Sequence, residues 1–196
     1  MRIEGEQISL TPSEAGWIAL QFARLRFLDF ARKVELARRT AIAVHLPDGI
    51  FDGVPLVSAD MPYGADGFPD TAVGLRRISA DHAMHRAEAE HARDADGAEL
   101  HTIQVPAGRD ELAIMAERAS FIHMILQQEM LDPPSNPDRT YEDRIVEFDD
   151  GDDDPEPHLN DSDAAQIDAM FFANNLTELE VTAGILATLR QAGLAE

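Results

Sequence analysis

A long apolar segment near the amino end constrains the fold of this chain more than any other feature: residues 11–40 read TPSEAGWIALQFARLRFLDFARKVELARRT. Thr11, Pro12 and Glu14 carry the signature of a helix N-terminus, with a hydroxyl cap, a proline in the first turn and a glutamate three positions after the cap. Neither proline nor glycine occurs beyond the sixth residue of the segment. The sequence therefore predicts one long helix that ends near Thr40.

The apolar residues of this helix cover more than one of its faces between Trp17 and Phe30. Because such a helix is buried on several sides, it is either the central helix of the fold or part of an oligomer interface. Arginines alternate with the aromatic residues, and apolar area with arginine is the usual composition of an interface anchor. An ordinary buried helix with arginines at its rim fits the pattern equally well. The residues predicted to contact a partner are Trp17, Phe22, Arg24, Phe27, Phe30 and Arg32.

The pattern along the chain predicts an α+β, mainly helical fold, with a long N-terminal helix, short strands in the middle and a helical C-terminal third. Three regions are expected: a helical core over 1–131 with a loop and short-strand insertion at 41–78, an acidic loop region over 132–160, and C-terminal helices over 161–196 that pack on the core.

Periodicity and capping residues predict the individual elements within these regions. A short strand is expected within residues 2–10, and the alternation of apolar residues after Arg39 fits another strand. Beyond these, the predicted elements are a helix from Ser79 to about Arg93, a strand-like piece at 100–106, a helix over 109–131 and two short helices in the C-terminal part.

Charge is the strongest global property, because 37 acidic residues oppose 16 basic ones for a net charge of −21. Phosphate binding requires clustered lysine and arginine, so direct binding to DNA or RNA is not expected, nor is association with an anionic membrane. No apolar run reaches the length of about 18 residues that a membrane-spanning helix needs. The absence of cysteine excludes disulfides and thiolate metal sites.

The two signs of charge are concentrated in different parts of the chain. Residues 129–196 hold eighteen acidic and three basic residues, whereas residues 22–39 hold six basic and two acidic ones. This asymmetry predicts contact between the two parts within one chain, contact between copies, or docking of the basic helix on a different acidic protein. An acidic C-terminal third is also compatible with an inhibitor that mimics nucleic acid and binds a basic DNA-binding protein.

The histidine-rich segment DHAMHRAEAEH, residues 81–91, raises the question of a metal site. Asp81, His85 and Glu88 share one arc of a helix, and carboxylate with imidazole could hold one metal ion, as in a metal-dependent hydrolase. Small apolar residues occupy the opposite side, which places the trio on a solvent face without the supporting contacts that a working site needs. No nucleophile or phosphate-binding motif accompanies it. We therefore predict a non-enzymatic protein without catalytic residue, metal or cofactor.

Three segments resemble parts of the tail-assembly chaperones of tailed phages, over about residues 70–192. They are VGLRRISADHAMHRAEAE, RASFIHMILQQEMLDPPSNPDRTYED and LNDSDAAQIDAMFFANNL. The resemblance implies a viral adaptor, chaperone or structural component that binds other proteins of the same assembly or further copies of itself. It places the protein in the cytoplasm of a host cell or in the virion, and it transfers no catalytic residue.

Overall fold

The computed structural model describes residues 1–54, 71–94, 102–131 and 161–195. It confirms the α+β, mainly helical fold, with five α-helices and one three-stranded sheet in the described residues. In chain order the elements are β1 (Arg2–Glu4), β2 (Gln7–Leu10), α1 (Pro12–Arg24), α2 (Leu28–Ala41), a 3₁₀ helix (Ala43–His45), α3 (Thr71–Asp94), β3 (Ile103–Pro106), α4 (Arg109–Leu131) and α5 (Asp161–Gln191).

One face of the small sheet packs against the hydrophobic core. Its strands are antiparallel in the order β1-β2-β3, and Ile8 pairs with Val105 while Leu10 pairs with Ile103. Because alternate residues of a strand point to the same face, these four buried side chains meet the helices together. The turn between β1 and β2 has Gly5 with φ of 66°, a conformation that favours glycine and fits a two-residue hairpin.

Helix α1 begins as the sequence predicts. The Glu14 amide donates to Thr11 Oγ1 at 3.2 Å, and the Thr11 amide donates to Glu14 Oε2 at 2.9 Å. This reciprocal pair satisfies two amides that would otherwise have no partner in the first turn. The capping box is therefore confirmed.

The prediction of one helix over 12–40 is wrong, because the chain turns at residues 25–27 and α2 folds back along α1. Arg26 has φ of 66°, and the amide of Phe27 donates to the carbonyl of Phe22 at 2.9 Å. The Arg26 amide donates to Ala23 at 3.0 Å, which completes a Schellman C-cap. The rings of Phe22 and Phe30 then meet at 4.6 Å between centroids. The turn therefore lets the apolar faces of the segment bury one another.

Replacing Arg26 by glycine is expected to raise the free energy of unfolding by about 0.5–1 kcal/mol. A non-glycine residue in the left-handed region costs about 1–2 kcal/mol, which the glycine removes. Part of this gain in stability is lost because glycine has greater conformational freedom in the unfolded chain. Urea denaturation followed by circular dichroism measures the change. Arg26→Ala is the control, because it also removes the guanidinium but keeps the strained φ. Equal stability of the two variants would contradict the assignment of strain to this turn.

Other boundaries depart from the sequence-based predictions. Helix α4 and the strand β3 are confirmed, but α3 begins at Thr71 rather than Ser79, and α5 is one helix rather than two. The expected strand after Arg39 is instead the end of α2 followed by the 3₁₀ helix. Side chains that can cap a helix also occur inside helices, so they indicate possible starts only. Residues 71–78 of the predicted loop and short-strand insertion belong to α3 instead, whereas its residues 55–70 and the acidic region over 132–160 lie outside the described residues.

The main hydrophobic core combines the sheet with α1, α2, α4 and α5, and buried residues from each of these helices, such as Ile18, Phe30, Met115 and Leu186, belong to it. Helix α3 contributes nothing to this cluster. In the described part of the chain no helix is long and apolar enough to cross a membrane.

Candidate interaction cleft

A cleft of about 610 Å³ lies between α1, α2, α3 and α5. It is lined by apolar side chains from α1 and α5 on one side and by charged side chains from α2 and α3 on the other. Five residues that the sequence analysis selected line this cleft: Trp17, Arg24, Asp81, His85 and Glu88. The cleft is thus where the described structure brings the candidate residues together.

Trp17 joins α1 to α5 at the apolar side of the cleft. Its ring is buried, and its Nε1 donates to Glu178 Oε1 at 2.8 Å. A buried indole needs a hydrogen-bond acceptor, and Glu178 supplies one from α5. Leu20 lies one turn further along α1 and also lines the cleft, but 40% of it is exposed. The cleft therefore offers apolar surface on a wall that Trp17 fixes in place.

A buried charge cluster forms the opposite wall. Arg38 Nε donates to Glu88 Oε1 at 2.6 Å, which ties α2 to α3, and Arg38 Nη1 lies 3.3 Å from Glu35 Oε2. Arg39 Nε donates to the other oxygen of Glu35 at 2.9 Å. Glu35 therefore contacts both arginines, and together with Glu88 it balances their charge, as buried charges must be paired.

Two further contacts hold the arginines of this cluster in place. The Arg39 guanidinium carbon lies 3.7 Å from the centre of the Phe51 ring, a stacking contact. Burial lowers the pKa of Arg39, and the charge of Glu35 opposes that shift.

The Arg38 guanidinium crosses α1 at Gly16, where a Cβ atom would lie 2.9 Å from Arg38 Cζ. A glycine at position 16 thus leaves the space that Arg38 needs to reach α3.

The metal candidates share one face of α3, but their carboxylates already have arginine partners. Asp81 Oδ1 lies 3.2 Å from Arg77 Nε, and Glu88 is paired with Arg38. His85 is largely exposed, with Nδ1 at 3.7 Å from Glu88 Oε2. In the described parts of the chain, no three histidine, aspartate or glutamate side chains are arranged to hold a metal ion. The expectation that all three face solvent is wrong for Glu88, whose side chain is only 13% exposed because Arg38 reaches it from α2.

The six residues predicted to contact a partner divide into two groups. Trp17, Phe22 and Phe30 lie in the core of this chain, because the turn after α1 folds the aromatic faces onto each other. They do not form an exposed interface. Arg24 and Phe27 are exposed, and Arg32 is partly buried with Nη1 at 3.6 Å from Asp29 Oδ1.

The exposed members of this group belong to a larger surface that the sequence did not reveal. We define the turn surface as Leu20, Arg24, Leu25, Arg26 and Phe27. Its three apolar side chains are 39–48% exposed, and Leu20 and Arg24 also line the cleft. Neither guanidinium has a hydrogen-bond or ion-pair partner among the described residues. The sequence could not reveal this surface without the position of the turn. The turn decides which residues of the apolar segment stay exposed and which are buried.

Comparison with protein-family models, with curated proteins and with solved structures finds no match to this chain. The cleft and the turn surface are therefore interpreted from their own geometry and charge.

Proposed function

We propose that this protein acts by binding another protein rather than by catalysis, as an adaptor, chaperone or structural component of a viral assembly. The partner binds at the turn surface and along the adjoining edge of the cleft. The observation that carries this proposal is the combination, at one helix end, of exposed apolar side chains with two guanidinium groups that have no partner among the described residues. The viral assignment rests on the resemblance to tail-assembly chaperones alone.

The apolar part of the turn surface supports binding to a protein. Leu25 and Phe27 flank Arg26 in the chain, and each keeps more than a third of its surface in water. Exposed large apolar residues that occur singly need no explanation, whereas a group of them next to arginine has the composition of an interface. Covering this group would remove apolar area from water and give arginine a partner at the same time.

The charge of the turn surface indicates the chemistry of the partner. Arg24 and Arg26 form a local cationic site on a chain whose net charge is −21. A long polyanion such as DNA would extend beyond this site and be repelled by the net negative charge of the chain. A compact protein surface that carries carboxylates beside apolar residues fits better, since it can pair with both guanidinium groups without extending further.

The test compares two matched double variants of the full chain. Leu20→Ser with Arg24→Glu changes one apolar and one basic residue of the turn surface. Leu36→Ser with Lys33→Glu makes the same kind of change on α2, where Leu36 is 56% exposed and neither residue lines the cleft. Each protein is immobilised, exposed to an extract of the native source, and its bound proteins are quantified by mass spectrometry.

We expect the wild type and the α2 variant to retain the same partner, and the turn-surface variant to lose at least about 90% of it, as charge reversal and loss of apolar contact act together. Retention should also fall between about 50 and about 300 mM salt, because the charges are screened. Equal retention by both variants would remove the turn surface from the proposal. Absence of any retained protein, with light scattering that shows a monomer, would remove the function itself.

A further inference from the structure

Helix α3 is attached to the rest of the protein differently from the other helices. Its buried residues Met84 and Ala87 form a separate small cluster with Ile42, bordered by Leu46 and Phe51, and none of its residues joins the main core. The other buried apolar residues of α3 are Val73, Ala80 and Ala83, and an alanine removes little apolar area from water. Among the described residues, apolar packing therefore contributes less to holding α3 than it does to holding α1, α4 or α5.

Among the described residues, polar contacts supply much of the attachment of α3 to the rest of the protein. At the last turns of α3, His45 of the 3₁₀ helix lies 3.8 Å from Glu90 and 3.4 Å from Asp94, contacts that are ion pairs only when the histidine is protonated. Both carboxylates are well exposed, so water weakens these contacts. His91 Nε2 is 3.2 Å from Thr102 Oγ1. None of these is as buried as the pair of Arg38 with Glu88.

We propose that α3 is a separately docked helix that opens away from α2 while the main core stays folded, and that the Arg38–Glu88 ion pair is its latch. Buried charge-assisted hydrogen bonds are the strongest polar contacts in a fold, and their loss in an element with little apolar packing permits local opening. Because α3 forms one wall of the cleft, its opening widens the cleft and uncovers Ile42 and Met84. This inference concerns the motion of the chain and does not depend on the identity of a partner.

Hydrogen–deuterium exchange with mass spectrometry on the full chain tests the latch. In the wild type, amides of residues 80–94 are expected to exchange faster than those of residues 112–126 in α4, since α3 opens without unfolding of the core. Glu88→Gln keeps the shape of the side chain and removes its charge. It is expected to raise the exchange rate of residues 80–94 about 10- to 100-fold and to leave α4 unchanged.

Gly16→Ala tests the same latch without removal of any charge. The new Cβ would lie 2.9 Å from Arg38 Cζ, so the guanidinium must shift from the position in which it pairs with Glu88. Exchange in α3 should again accelerate. Gly184→Ala is the matched control on α5, because its Cβ meets only Glu14 Oε1 at 3.9 Å, an ordinary contact. It should leave α3 unchanged.

Two results would overturn the inference. If α3 and α4 lose protection together in both latch variants, α3 is part of one cooperative core. If neither Glu88→Gln nor Gly16→Ala changes exchange in α3, the ion pair is not the latch. Failure of the partner-binding proposal would leave both readouts unaffected, since no partner is present in this experiment.

Discussion

Replacement of Phe22 by alanine is expected to lower the free energy of unfolding by about 3–5 kcal/mol, the usual cost of truncating a buried aromatic residue. Phe22 is only 1% exposed, and its ring meets Phe30 at 4.6 Å and Phe27 at 6.1 Å between centroids. Truncation would leave a cavity at the point where α1 turns into α2. Urea denaturation followed by circular dichroism measures the loss.

Phe121→Ala on α4 is the matched control, because Phe121 is 49% exposed. Its removal should cost less than about 1 kcal/mol, as for most surface substitutions. Equal losses for the two variants would contradict the placement of Phe22 in the core. A Phe22 variant that keeps its stability but shifts from oligomer to monomer in light scattering would instead support the sequence-based prediction that Phe22 contacts a partner.

Local sequence patterns were sufficient for the elements that local interactions define. The capping box at Thr11 and the helix α4 depend on residues close together in the chain, and alternating apolar residues were enough to indicate the strand β3, although its hydrogen bonds go to β2. The turn at residues 25–27 could not be predicted in the same way. Its left-handed residue is an arginine, where glycine is usual, and what favours it is the packing of Phe22 on Phe30 across the turn.

The candidate site shows the same limit. Helical periodicity correctly placed Asp81, His85 and Glu88 on one face of a helix, but it could not show that Arg38 on another helix pairs with Glu88. Glu88 and its partner Arg38 are 50 residues apart, and Trp17 and its partner Glu178 are 161 residues apart. Contacts over such separations depend on how the helices pack. The sequence therefore indicates which side chains have the chemistry for a site. The fold determines which of these side chains already pair with another residue of the chain.

Replacement of Glu35 by glutamine is expected to lower the free energy of unfolding by about 3–5 kcal/mol. Removal of one member of a buried ion pair is costly for the charges that remain, and Glu35 pairs with both Arg39 and Arg38, of which Arg38 also keeps Glu88. It is 4% exposed and contacts both Arg38 and Arg39. Because burial already lowers the pKa of Arg39 and the charge of Glu35 opposes that shift, its loss makes the charged form of Arg39 still less favourable. Urea denaturation measures the change.

Asp29→Asn on the same helix is the matched control. Asp29 also pairs with an arginine three residues later, Arg32, but its side chain is 97% exposed, so its loss should cost less than about 0.5 kcal/mol. About 1 M salt should abolish the small effect of Asp29→Asn and leave most of the effect of Glu35→Gln, since water and ions do not reach a buried pair. If Glu35→Gln costs as little as Asp29→Asn, or if salt reduces both effects equally, water reaches the charge cluster. The prediction that burial makes Glu35 important for stability would then be wrong.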